Sequence, residues 1–141
     1  DVGAETAALS AGRLDVGAVA TFVGLVRADK LSGAGSEVSA MTLEHYPGMT
    51  EKAISGMVGE AIQRWSLADA LVIHRHGRLA PGEAIMMVAT AAPHRGDAFA
   101  AAEFLMDYLK SRAPFWKKEI GAGGADWVAA KDSDEDALKR W

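Results

Sequence analysis

No cysteine occurs anywhere in the chain. That excludes disulfide bonds, thiolate metal ligands and a cysteine nucleophile, and it suits a reducing cytosol. No apolar run approaches the roughly 20 residues that span a bilayer, and no secretory pattern opens the sequence, so a cytoplasmic protein with no membrane partner is expected. Positive charge is not in excess either. The formal net charge is −4, so no nucleic-acid partner is implied, and any basic site must be a local feature of an acidic protein. Glycine-rich nucleotide loops, Ser-His-Asp arrangements and zinc spacings are missing as well. What is present is ordinary for a globular protein: half the residues are hydrophobic and about a quarter charged. With 141 residues, the chain is long enough for one domain, residues 1–141, to bury a core without covalent staples.

Periodicity divides the chain. The Ala-rich residues 4–12 predict a short helix ended by Gly12. Residues 16–26, VGAVATFVGLV, are β-branched and aromatic and predict a buried strand, with Gly24 marking a bulge or a close backbone approach. A Gly/Ser loop at 29–36, with Arg27 and Lys30 at its edge, then leads by a hairpin-like connection to a strand at 37–45. Pro47-Gly48 breaks the chain, and Thr50 is a candidate N-cap for a helix marked by Ile54, Met57, Val58, Ala61, Ile62 and Trp65 at three-to-four spacing. A strand at 70–76, a turn at 77–83 and a strongly apolar strand at 84–91 follow. Phe99, Ala102, Leu105, Met106 and Leu109 define a second long helix over about 95–112, closed by Ala113-Pro114. Residues 115–119 are extended, 121–124 a glycine turn, 126–130 a short strand and 133–140 a charged helix with Ser133 as cap. The order αββαββαββα, with strands in antiparallel pairs, predicts an α+β fold.

One run concentrates cations. Between Tyr108 and Lys118 stand Lys110, Arg112, Lys117 and Lys118, with no acid among them. The ordinary explanation for the first two is the helix C-terminus, whose dipole favours Lys and Arg. The continuation argues for more: Pro114 stops the helix and Phe115-Trp116-Lys117-Lys118 places one lysine and one aromatic on each face of a strand. Only one face can look into a cleft, so Lys117 and Lys118 are expected to do different things. His94-Arg95 lies at the start of the same helix, where unpaired N–H groups favour an anion; a solvated first turn is the alternative. His74 and His76 could share a strand face and hold a metal, but no further ligand completes a set. Glu44-His45-Tyr46 could be an acid/base group, although side chains at a strand end are more often packed.

These residues fall in stretches with a wider likeness. FVGLVR at 22–27, TLEHYPGMTEKA at 42–53, AIQRW at 61–65, VIHRHGRLAPGE at 72–83, APHRGDAFAAAEFLMDYLKSRAPFWKKE at 92–119 and WVAAKDSDEDALKRW at 127–141 resemble the large, catalytic subunits of molybdopterin synthases. The resemblance implies an α/β hammerhead-like domain with an additional small antiparallel β subdomain. It implies a sulfurtransferase that converts cyclic pyranopterin monophosphate to the dithiolene molybdopterin. Sulfur would come as a thiocarboxylate on the C-terminal glycine of a small ubiquitin-like carrier, and two large subunits with two carriers would form a heterotetramer around a homodimer. By position, the essential lysine falls on Lys110 and the second active-site lysine on Lys117. Pterin and phosphate contacts fall on Arg27, His94 and Arg95, with Glu119 close by, Phe22 and Met106 lining the site, and Lys118 as a further charge. Arg27 could serve the neighbouring protomer's site.

The chemistry suits such residues. A thiocarboxylate and a cyclic phosphate are both anions, and bringing them together requires cations already fixed in place. Lysine can also deliver a proton if neighbouring cations lower its pKa, and Arg112 and Lys117 are the expected neighbours of Lys110. Neither a metal nor an organic cofactor is expected for this step. Two alternatives stay open at this point: a catalytically silent anion-binding scaffold, and a metal site at His74 and His76.

Overall fold

The computed structural model describes residues 1–28, 38–121, 124–128 and 131–141. The Gly/Ser loop at 29–36, the tip of the 121–124 turn and the end of the strand expected at 126–130 lie outside these.

The central element is β5 (Ala84–Ala92), whose residues from Met86 to Ala92 are all buried. An apolar run is stable there because the strand is covered on every side. β1 (Ala18–Leu25) and β3 (Asp69–His74) pair with it antiparallel on either edge, giving a three-stranded sheet ordered β1-β5-β3. Its faces then divide by parity. Met86, Val88 and Ala92 point to the helices α2 (Met49–Trp65) and α3 (Arg95–Ser111), against Met57, Ala61, Phe104 and Leu105. Met87, Ala89 and Ala91 point to the other face, under Leu9, which caps α1 (Val2–Ala8). Thr90 is the polar exception, fully buried, and its hydroxyl donates to the Ala98 carbonyl at 2.7 Å, so nothing there is left unsatisfied.

Phe104 organises the helix side. Its ring meets Trp65 edge-on at 5.1 Å, Tyr108 at 4.5 Å and Trp141 at 5.7 Å. Trp141 follows α4 (Asp132–Leu138) and donates its indole N–H to Asp107 at 2.6 Å.

The second sheet is four-stranded, ordered β4-β2-β6-β7: β4 (Gly77–Leu79), β2 (Val38–His45), β6 (Phe115–Gly121) and β7 (Gly124–Val128). Met41, Leu43 and Leu79 on its inner face form a small core with Val26 and Ile85. The α+β class expected from the element order is the one adopted, with antiparallel pairing throughout both sheets.

Five expectations are corrected. β1 and β2 do not form a hairpin but belong to different sheets, because Val26 leaves the β1 edge and pairs instead with the 82–83 turn, donating to Glu83 at 2.9 Å and accepting from Gly82 at 2.8 Å. The 77–83 segment is not all turn, since its first three residues are β4. α1 starts earlier than expected, because the Asp1 carboxylate accepts from the Ala4 N–H at 2.7 Å and caps it. α2 is capped by Gly48 rather than Thr50, and α4 is preceded by Lys131 rather than Ser133.

Candidate functional site

α3 returns antiparallel over β5, so its last turn lies over the end of the sheet where β5 begins and β1 finishes. Lys110 projects from that turn and is exposed. Arg112 is two residues on, about 200° around the helix, and turns instead to α4, where it meets Glu135 at 2.6 Å. That contact holds the Arg112 pKa up and the Glu135 pKa down. The expected cationic neighbourhood of Lys110 is therefore different from the one the spacing suggested: Arg112 is occupied elsewhere, and Lys117 is paired to a carboxylate.

β6 carries the rest of the run. Register places His45 opposite Phe115, Leu43 opposite Lys117 and Met41 opposite Glu119. Phe115, Lys117 and Glu119 therefore share the inner face with buried Leu43 and Met41. Lys117 Nζ lies 3.2 Å from Glu119 Oε1, with the carboxylate side chain only 13% exposed and the lysine 39%. Trp116 and Lys118 occupy the opposite face, where Lys118 sits 5.4 Å over the exposed Trp127 ring. The alternation expected from sequence thus separates the two lysines.

Three histidines complete the inner side. His74 stacks on Phe115 at 3.8 Å and 21°, and its Nδ1 lies 2.7 Å from the Arg75 carbonyl. Burial pushes its pKa below the ordinary 6.5, and the positive charges of Lys110 and His76 add to that effect. His76 lies beyond the end of β3, so it does not share a strand face with His74. Its ring packs on His45 at 4.1 Å, and His45 Nε2 is 3.5 Å from Glu51. The Glu51 carboxyl is held below its usual range by the backbone N–H groups of its own residue and Gly48, and then by His45 and His76. Thr50, Glu51, these histidines and Phe115 line a cavity of about 300 Å³. Among the described residues, no three His, Asp or Glu side chains converge in a way that could hold a metal ion. No helix among them is long and apolar enough to cross a membrane.

Phe22, 42% exposed, lies opposite Val88 and so on the helix side of β1. Arg27 is exposed two residues beyond that strand. Met106 packs on the main core one turn before Lys110. His94 and Arg95 sit elsewhere. His94 is the residue preceding α3, extended at φ −128° and ψ 145°, and Arg95 is its first residue. At about 1.5 Å per residue, Arg95 is about 22 Å from Lys110 along the helix. The α3 start is anchored to β1: the Gly17 N–H donates to Ala92 O at 3.0 Å, and a Cβ at Gly17 would collide with the Pro93 carbonyl oxygen. Lys110, whose charge reaches His74, therefore lies at the opposite end of α3 from His94-Arg95, and Lys117 and Glu119 lie on the strand that follows it. Sequence reasoning named His45, His74, His76 and Thr50 but missed the packing of His45 on His76 and the bond from Thr50 to Pro114. The HRH triplet and the EHYPG run are the local signals, but their contacts are long-range.

The chain matches the family model described as MoaE protein over residues 1–112. It is 67% identical over 141 residues to the molybdopterin synthase catalytic subunit of Cereibacter sphaeroides, covering all of this chain and 93% of that protein. Among solved structures it is similar to the molybdopterin biosynthesis MoaE protein from Burkholderia ambifaria, with a TM-score of 0.83 and 54% identity over all of this chain and 90% of that one. A more distant likeness, at TM-score 0.67 and 19% identity over 92% of this chain and 80% of that chain, is to a chain in the complex of subunits 1 and 2 of molybdopterin-converting factor from Helicobacter pylori.

Proposed function

The chain belongs to the MoaE family of molybdopterin synthase catalytic subunits, and from that premise we propose that it carries out sulfur transfer from a small carrier protein to cyclic pyranopterin monophosphate. It is an enzyme of molybdenum cofactor biosynthesis. The single observation that carries the finer reading is the 67% identity over all 141 residues, which leaves no part of the chain outside the match.

In this reading the site is prepared for two anions. Lys110 and Lys117 stand on either side of the α3–β6 junction, one at the helix end and one on the inner strand face. Their ammonium groups offset the repulsion between the carrier's thiocarboxylate and the cyclic phosphate as the two approach. Glu119 fixes Lys117 through the 3.2 Å contact, so the charge is in place before substrate arrives. Among the described residues Lys110 forms an ion pair with no acid, and it is the group assigned to transition-state stabilisation and proton delivery. The carrier's thiocarboxylate sulfur bonds to a carbon of the pterin side chain, water cleaves the acyl–sulfur bond so that the carrier leaves as a carboxylate, the phosphate ring opens, and a second thiocarboxylated carrier delivers the second sulfur of the dithiolene.

His94 and Arg95 lie too far from Lys110 to reach the same small molecule within one protomer. A homodimer that sets the α3 start of one chain against the lysine end of the other would join them, with Arg27 near the seam. The Helicobacter pylori protein with this fold occurs in a complex of two subunits; in this reading a small second subunit is the sulfur donor here, giving a heterotetramer in the cytoplasm, each large subunit acting as one domain. The test is direct. The purified chain, incubated with thiocarboxylated carrier and cyclic pyranopterin monophosphate, is expected to yield dithiolene product; no product with active carrier present overturns the reading.

A further inference from the structure

The α3–β6 junction is held by a residue that is neither in the basic run nor on α3. β2 and β6 pair as far as His45 opposite Phe115. The next opposed residues are Tyr46 and Pro114, but no bond joins them directly. Instead the Tyr46 N–H donates to Thr50 Oγ at 3.0 Å, and the Thr50 hydroxyl donates to the Pro114 carbonyl at 3.1 Å. Thr50 is only 2% exposed, so water has little access to replace either bond. Its own N–H donates to Tyr46 O at 2.9 Å, which closes a small ring and fixes the hydroxyl's direction. On the other side of the bond, Phe115 N–H donates to Ala113 O at 2.8 Å. That is a three-residue turn centred on Pro114, whose ring already restricts φ to the value such a turn needs. Lys110 lies four residues before Pro114 and Lys117 three residues after it.

We propose that Thr50 is a positioning residue for Lys110 and Lys117: its hydroxyl supplies the missing rung between Tyr46 and Pro114 and so fixes the direction in which β6 leaves α3. Thr50 is the right residue type because the rung needs one donor and one acceptor on a single short side chain. A direct Tyr46-to-Pro114 bond would draw β6 closer to β2 by the width of that hydroxyl, and an absent bond would leave the turn free to swing. Either change displaces Lys117 relative to Lys110. His74 on the Phe115 ring restrains the side chain next in line but leaves the Pro114 backbone untouched.

The inference rests on the sulfur-transfer reading for its catalytic consequence and on hydrogen-bond geometry for its structural one, and the two are tested separately. Thr50→Val keeps the shape and removes the hydroxyl; Thr50→Ser keeps the hydroxyl. In Thr50→Val, amide exchange at Tyr46 and across 115–117 is expected to rise at least tenfold while exchange in β5 stays unchanged, and Thr50→Ser is expected to return it to the wild-type rate. With carrier and cyclic precursor supplied, kcat is expected to fall about 10- to 100-fold in Thr50→Val, the scale of an ångström-level misplacement. KM for the carrier should change less than threefold, and Thr50→Ser should recover most of kcat. Unchanged exchange in Thr50→Val overturns the proposal whether or not any variant is active. A lower melting temperature with kcat per folded molecule unchanged also overturns it, because Thr50 would then serve stability alone. Wild-type protein that makes no product refutes the sulfur-transfer reading, and the exchange data still decide the role of Thr50.

Discussion

On the inner face of β6, Lys117 shares its surroundings with a nearly buried carboxylate, a stacked Phe115–His74 pair and the buried side chains of Leu43 and Met41. On the outer face, one residue later, Lys118 rests over the exposed ring of Trp127, beside Trp116, which packs edge-on against Tyr46. Both lysines are half-buried and both touch an aromatic-rich surface. They differ in what fixes them. A lysine over an exposed ring gains a modest attraction and keeps most of its freedom, whereas one held by a shielded carboxylate has a defined direction and less competition from water. Two identical side chains, adjacent in sequence, thus have different value to a reaction that needs charge at a fixed point.

Variants test how deep that difference goes. The largest effect is expected for Lys110→Ala, at the helix end that faces the inner side, with product formation falling about 10³-fold and carrier binding and dimerisation intact by size-exclusion chromatography. Lys110→Arg keeps the charge but holds its proton, so it should restore only a small part of the rate. Lys117→Ala should cost about 10²-fold in kcat/KM. Glu119→Gln leaves Lys117 charged but unanchored, and about a tenfold loss is expected, smaller than that of Lys117→Ala. Lys118→Ala should stay within about threefold of wild type, as a cation over an exposed aromatic ring predicts; a loss as large as that of Lys117→Ala would erase the distinction between the faces.

The smallest effect concerns stability rather than rate. His74 has its pKa lowered in the folded chain, so the unfolded chain binds that proton more readily. Its contribution to stability is then complete above the ordinary value of 6.5 and is lost as pH falls through the lower, folded value. Thermal unfolding followed between pH 7.5 and 5.5 should show a midpoint falling by a few degrees, and His74→Phe, which keeps the stack on Phe115, should flatten that slope.

The parts of this arrangement that sequence made legible are those set by short-range period. The three-to-four spacing of Phe99, Ala102, Leu105 and Leu109 announces α3, the unbroken apolar run announces β5, and the period of two separates Lys117 from Lys118. Helix rise alone also puts Arg95 about 22 Å from Lys110. What stayed hidden depends on partners far along the chain. β1 pairs with β5, 59 to 74 residues away in sequence, so its neighbour in sequence, β2, looked like its neighbour in space. β4 is three residues long and is a strand only because β2 lies beside it. Thr50 has the chemistry of a cap and stands near a helix start, yet the atom its hydroxyl serves is the carbonyl of Pro114. Nothing local distinguishes the two uses.

The close approach of Gly17 to Pro93 bears on how this protein can fail. No atom of Gly17 belongs to the lysine centre, and its surroundings look permissive, exposed and next to a short loop. Yet a single methyl there has nowhere to go except into the backbone that begins α3, and that backbone carries His94 and Arg95. An alanine at this position would lever both side chains away from β1 while leaving Lys110, Lys117 and Glu119 as they are. In the dimer proposed above, the injury would be felt in the neighbouring subunit's reaction and not in the mutated chain's own, so a mixed dimer with one damaged α3 start and one damaged lysine end would keep either one working site or none, according to which chain carries which lesion.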